Sequence, residues 1–248
     1  MKFVLCILVF HSVNSLYGKV LPDAISQLLC RHSDPNLNEC LLNNLGKILP
    51  LLADGIPTAN IDPIDPVHID FITSEGDLEN IKINMDLTNV TIHGLSTIKF
   101  NKIKVDPNTM SWEILMHLTL ARLTCEYHAT GNLFAIPLKS SANFDGDFHD
   151  ANFTLNIRFK ELIRKGIRYF AAENITEKVN VDSVKINLTS IVPAEQPAVN
   201  LIQTFFNENN HLVLDTVNPL VVSQGPEHLK YILNRFLRMV PADELVPK

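Results

Sequence analysis

The chain has 248 residues, 46% hydrophobic, 19% charged and 7% aromatic, which supplies a core and excludes an intrinsically disordered chain. With 9 Gly, 14 Pro and no tripeptide period it is not collagen-like, and no apolar run reaches the roughly 18 residues that a spanning helix needs. The formal charge of −6 becomes −7 once Lys2 leaves with the leader described next, a sign that disfavours nucleic acid or an anionic membrane as the main partner.

Lys2 precedes the apolar run from Phe3 to Phe10, and small and polar residues follow at Ser12, Asn14, Ser15 and Gly18. This is the pattern of a secretory signal peptide over residues 1–18, cleaved after Ser15 or Gly18, which leaves 19–248 as a single extracellular domain. Cys6 departs with the leader. In an oxidising compartment Cys30 and Cys40, ten residues apart around Asp34-Pro35, are the expected disulfide. Such a short loop contributes on the order of 2–3 kcal/mol, a local clasp. Cys125 is left over, and is read as a buried, inert small hydrophobe.

The first mature element has helical spacing: Asp34 as cap, Pro35 at the first position, then Leu37, Leu41, Leu45, Ile48 and Leu52, with Pro50, Gly55 and Pro57 ending it. The prolines of the passage from Ile56 to Pro66 push their predecessors out of the helical region, so this stretch is extended. From Val67 to about Ser190 the period is two. Ile81, Ile83, Met85 and Leu87 alternate with Lys82, Asn84, Asp86 and Thr88, and the run from Phe153 to Phe159 does the same. Two segments change phase. Trp112, Ile114, Met116, Leu118 and Leu120 give way to Leu123, Cys125 and Tyr127, and Val179 and Val181 give way to Val184, Ile186 and Leu188. A β-bulge in each would restore a common face, and long strands of this kind predict a strongly curved antiparallel sheet.

Four glycosylation sequons begin at Asn89, Asn152, Asn174 and Asn187. Asn152 and Asn187 fall on the polar phase of their strands, which places them on the outer face of a sheet. The last quarter returns to helix: Ala198, Val199, Ile202, Phe205 and Phe206 form one stripe, and after Gly225-Pro226 a second runs through Leu229, Ile232, Leu233, Phe236, Leu237 and Val240. Between them His211–Val222 is β-branched and holds Pro219, which predicts a kinked or broken helix. The resulting expectation is an α+β fold, a long curved antiparallel sheet wrapped around a long helix, because a one-sided sheet and an amphipathic helix must cover each other.

Chemistry-bearing motifs are scarce. No G-x-S-x-G, H-E-x-x-H, P-loop, G-x-G-x-x-G or C-x-x-C spacing occurs, so no enzyme and no cofactor is expected. His68 and Asp70 share a strand face, but two ligands do not make a metal site. Asp145-Gly-Asp147 reads as a turn. Arg158, Lys160, Arg164, Lys165 and Arg168 form the single local charge excess, either an ordinary exposed hairpin or a docking patch for a membrane or receptor.

The residues do match a family. Ser33-Asp-Pro-Asn-Leu-Asn-Glu-Cys40, with Cys30 before it, resembles the opening motif of the insect takeout and juvenile-hormone-binding family. Further matches are Ile64-Asp-Pro66, Val90-Thr-Ile-His-Gly-Leu-Ser96, Tyr127 with Gly131, Ile136-Pro-Leu138, Phe206-Asn-Glu-Asn209 and the tail from Val240 to Pro247. The resemblance implies a long helix wrapped in a curved sheet, as in the lipid-binding superfamily of the bactericidal permeability-increasing proteins, with a hydrophobic tunnel for an isoprenoid or long-chain lipid. Ser140 and Ala142 stand where the family usually has glycines, and Cys125 has no partner for the second disulfide of haemolymph hormone carriers. That departure favours a takeout-like protein over a hormone carrier proper.

The leading functional expectation is therefore a secreted, monomeric carrier that encloses a small hydrophobic ligand, fatty acyl or isoprenoid, and gains roughly 25 cal/mol per Å² of apolar surface removed from water. The candidate ligand contacts are Trp112, Met116, Leu118, Tyr127, Phe134, Phe205 and Phe206. The Tyr127 hydroxyl has two alternatives, a polar group of the ligand or a backbone partner in the core. Two other functions remain in view: an interaction module whose core is filled by side chains, and a lipid-ester hydrolase, for which no nucleophile and base are signalled.

Overall fold

The computed structural model describes residues 20–57, 61–78, 81–133 and 136–247. The expected leader, residues 1–18, lies outside them. A short helix α1 (Asp23–Ser26) precedes α2 (Leu37–Leu51), and six strands follow: β1 (Val67–Leu78), β2 (Ile81–His93), β3 (Lys99–Asp106), β4 (Ser111–Leu133), β5 (Ile136–Arg164) and β6 (Ile167–Ser190). Helices α3 (Gln196–Glu208), α4 (Asn210–Leu237) and α5 (Ala242–Leu245) close the chain.

The strands form one antiparallel sheet in the order β1-β2-β4-β5-β6, with β3 also paired to β4. One edge of β4 is shared. Its residues 122–133 pair with β2 and its residues 111–117 with β3, while the other edge pairs with β5 along its whole length. This curled sheet with helices laid in it is the α+β arrangement expected from the sequence.

The phase changes have a different cause from the one expected. A bulge on one strand would change the pairing offset, yet Ala151↔Val181 and His149↔Ser183 keep one offset between β5 and β6, and Leu118↔Ala151 and Leu120↔His149 keep one between β4 and β5. All three strands carry their extra residue at the same level, around Thr119, Asp150 and Asp182, and Asp150 adopts φ 52°. Burial follows: Ile114 and Leu118 face inward on one side of this crease, Cys125, Tyr127 and Ala129 on the other. True register shifts occur elsewhere, between Arg158 and Phe159, between Thr88 and Thr91, and between Phe100 and Lys102.

Helix α2 begins two residues later than expected. Asn36 is its N-cap, while the Asp34 carboxylate accepts the Asn36 N–H at 2.8 Å in the preceding turn. Pro50 lies inside its last turn. Helix α4 corrects a second expectation: it runs unbroken through Pro219 and Gly225-Pro226, and the interruption falls at Asn209, whose φ −119° and ψ 39° are not helical. A proline removes one N–H donor, and a helix lying along β6 keeps its place through its packing.

Among the described residues no seventh strand pairs with the free edge of β6. Side-chain amides of the helices take that role: Val184 N–H donates to Asn210 Oδ1 (2.6 Å), Ile186 N–H to Asn207 Oδ1 (2.8 Å), Leu188 N–H to Gln203 Oε1 (2.7 Å) and Ser190 N–H to Gln196 Oε1 (2.7 Å). Asn207 Nδ2 returns a bond to Ile186 O, and Gln196 Nε2 to Leu188 O. Between Gln203 and Asn207 the match is geometric, since four helical residues rise roughly 6 Å and two strand residues roughly 6.7 Å. Farther along, Asn234 makes the same two-bond clasp on Ala172. An otherwise open edge is thereby satisfied and covered.

The core falls into three clusters. The first, around Ile103, Ile114, Leu155, Ile157 and Ile175, is covered by α2 and the end of α4; the second, around Tyr127, Ala142, Ile186, Leu188 and Val199, by α3 and the start of α4. The third joins Leu21, Ile25, Ile48, Ile56 and Val240. There Glu244 of α5 accepts the N–H of Leu21 at 2.7 Å, and His32 N–H donates to Pro247 O at 2.9 Å, so the segment before α2 meets the segment after α4. Of the expected C-terminal stripe, Leu229, Leu233, Phe236 and Leu237 pack inward, whereas Ile232 is exposed.

Candidate functional site

The first cluster does not fill its space. A cavity of about 790 Å³ lies between α1, α2, the β3–β4 and β5–β6 ends, and the last turns of α4 with α5. The α2 stripe read in the sequence, Leu37, Leu41, Leu45, Ile48 and Leu52, forms one wall. Phe100, Val105, Trp112, Ile114, Ile157, Phe159 and Phe170 of the sheet form the opposite wall, and Leu233, Phe236 and Leu237 of α4 with Leu245 complete it. Trp112 and Phe159 meet edge to face at 5.7 Å. Cys30 also lines the space, and its disulfide to Cys40, with Cα atoms 6.0 Å apart, ties the chain entering α2 to that helix.

Polar groups are few and already engaged. Arg168 donates to Glu161 Oε1 at 2.9 Å and to Asp243 Oδ1 at 2.5 Å. Asn44 Nδ2 donates to Leu28 O at 3.0 Å. Hydrogen bonds from the Thr109 hydroxyl and the Asn108 N–H hold the Asp106 carboxyl below the usual carboxylate range. The exposed lining residues His32, Ser33, Pro107 and Glu161 mark where the cavity meets solvent. A molecule held here is held by apolar contact, because the charged lining groups are satisfied by protein partners.

Of the expected ligand contacts, the structure brings Trp112 to this cavity. Met116 packs at the side of the first cluster, and Leu118, 1% exposed, is buried at the crease. Tyr127 lies in the second cluster, where its hydroxyl shares a 2.9 Å hydrogen bond with Ser140 Oγ. Burial raises the Tyr127 pKa. Ser140 is thus the partner of that tyrosine. Phe206 packs against the second cluster and meets Phe205 edge to face at 6.3 Å. Phe134 lies outside the described residues.

The sequence reading missed Phe100, Phe159, Phe170 and Phe236 as lining residues. The signal for Phe236 was its place in the helical stripe; for the strand aromatics, period two gives the inward face but not which part of that face stays uncovered. Cys125 is buried and unpaired, and burial pushes its thiol up to about 11. Asn89, Asn152, Asn174 and Asn187 are all exposed. Among the described residues no group of three or more His, Cys, Asp or Glu converges on a point that could hold a metal ion, and no helix is long and apolar enough to cross a membrane.

The sequence model of the family described as Haemolymph juvenile hormone binding protein (JHBP) matches residues 4–247. Takeout 1 of Epiphyas postvittana superposes with a TM-score of 0.69 at 18% identity, over 89% of this chain and 99% of that one. A lipopolysaccharide binding protein structure aligns over 82% of this chain and 40% of its own length at 11% identity, with a TM-score of 0.36. No curated protein matches the sequence.

Proposed function

The chain belongs to the haemolymph juvenile hormone binding protein family, and from that premise we propose that it is a secreted carrier of an elongated, mostly apolar small molecule, a fatty acyl chain or linear isoprenoid, bound in the cavity beneath α2. The observation that carries the reading is the cavity itself: about 790 Å³ walled by leucine, isoleucine and aromatic side chains, within the size range of small-molecule sites. The family's name supplies the isoprenoid alternative, and the curled-sheet fold is shared with Takeout 1. Binding is by area, so each methylene buried contributes about 0.8 kcal/mol until the space is full.

Secretion, with residues 1–18 as the leader, belongs to the same reading, and so do the Cys30–Cys40 clasp, glycosylation at Asn89, Asn152, Asn174 and Asn187, and a monomeric state. The uncovered volume argues against an interaction module with a filled core, and a carrier needs no nucleophile.

Competition binding across a homologous series of fatty acids and their methyl esters tests the proposal. Affinity should rise about fourfold per methylene and then level off; affinity that stays flat from short to long chains overturns it. Trp112→Ala should weaken the long-chain members by about tenfold or more, the loss expected from truncating an aromatic wall. N-terminal sequencing of the protein from culture medium should begin at Leu16 or Lys19.

A further inference from the structure

We propose that the tip of the β5–β6 hairpin is a docking surface for an anionic lipid membrane. The turn is Lys165-Gly166, with φ +50° and +79°. Two-residue hairpin loops of this left-handed kind favour Asn-Gly or Asp-Gly, because a non-glycine side chain is strained there; here the strained position holds a lysine at the outermost point of the hairpin. Ile163, beside it, is 73% exposed. It follows Phe159 and Glu161 in strand alternation, both of which line the cavity, and it pairs across the hairpin with Arg168, which lines it too.

The tip combines that exposed apolar side chain with cations and an aromatic ring. Between residues 158 and 170 stand five Lys and Arg against one acid, so the rest of the chain carries −10 of the total −6. Lys160 is paired with Glu173 and Arg168 with Glu161 and Asp243. Arg164 lies over the Tyr169 ring at 5.8 Å, and among the described residues Lys165 has no carboxylate partner. An aliphatic side chain flanked by cations and a tyrosine is the chemistry of the bilayer interface, where the apolar group enters the headgroup boundary and the cations meet anionic lipid. The chain's overall negative charge disfavours such a surface elsewhere, but charges act over about 10 Å in 0.1 M salt, so the tip is read locally. Exposure alone does not single it out: Leu201 is also 73% exposed, yet α3 has no Lys or Arg.

Docked through this tip, the hairpin brings the cavity opening at Glu161 and Arg168 to the lipid surface, where a poorly soluble molecule can be exchanged without crossing bulk water. That use rests on the carrier reading; the contact itself does not.

The test is co-sedimentation of the full-length protein with vesicles of phosphatidylcholine alone and with one-third phosphatidylglycerol, with a fluorescent fatty acid titrated in parallel. The wild type should sediment with the anionic vesicles, not with the neutral ones, and should be released by high salt. Each cation removed should lower partitioning about fivefold, so R164Q/K165Q should lower it about thirtyfold. I163D should also lose binding, L201D should not, and all four proteins should bind the probe equally. A wild type that stays in the supernatant with anionic vesicles, or tip variants that sediment like it, overturns the proposal. Vesicle binding without probe binding sinks the carrier reading and leaves the docking surface standing.

Discussion

The two sides of the crease differ in how the same sheet is covered. Beyond the crease, Tyr127, Ala142, Ile186 and Leu188 pack against Val199 and the rest of α3 and the start of α4, and the amides of Gln196, Gln203, Asn207 and Asn210 bind those helices directly to the β6 backbone. On the other side one amide, Asn234, makes that clasp, and much of the cover is α2, joined to β3 through the Asn38 Oδ1 that accepts the Val105 N–H at 2.9 Å. A helix bonded to a strand edge lies close and its side chains fill the core. A helix laid opposite the sheet can stand off, and a cavity remains between its leucines and the strand aromatics. The cavity therefore lies on the side where α2 forms much of the cover.

The contrast can be broken in graded ways. The largest effect should come at the crease: Leu118→Ala deletes a side chain that is 1% exposed and should cost about 2–5 kcal/mol in denaturant unfolding while the purified variant keeps its ligand affinity. A loss below about 1 kcal/mol would mean that the crease has slack. Asn207→Leu strips both bonds from Ile186, leaving a strand N–H and C=O without their partner; about 2–3 kcal/mol of stability should go, along with faster amide hydrogen exchange at Val184–Leu188. Unchanged exchange there would show that the amides do not hold the edge.

Smaller still, Tyr127→Phe removes the Ser140 hydrogen bond and should cost about 1 kcal/mol without altering affinity for acids or esters. A strong, headgroup-dependent affinity loss would instead bring Tyr127 into the binding space. The smallest effect concerns reactivity. With its thiol near 11 rather than 9.0, Cys125 has about a hundredfold less thiolate at pH 8 than an ordinary cysteine, so native protein should resist alkylation that the unfolded chain undergoes readily. A thiol pKa raised by folding favours the native state below about 9, and this contribution is lost as pH rises through 9 to 11. Rapid native alkylation at pH 8 would contradict the burial.

The sequence by itself determined what local periodicity and spacing can encode. The α2 stripe from Leu37 to Leu52, the inward phases of β4 and β6, the Leu229–Leu237 stripe and the Cys30–Cys40 spacing each follow from residues a few positions apart. The phase changes were legible too, but not their cause: a one-strand bulge and a crease shared by three strands leave the same trace in any single strand, and the difference lies in pairings about 30 residues apart, Ala151↔Val181 and Leu118↔Ala151. Tertiary structure alone decided which inward residues line a space and which fill one. Trp112 and Tyr127 both carry an inward phase on β4, yet one borders the cavity and the other bonds to Ser140, because different helices lie over them. Gln196, Gln203, Asn207 and Asn210 became a surrogate strand because α3 and the start of α4 lie along the β6 edge, a match between separate elements that no periodicity within either one contains.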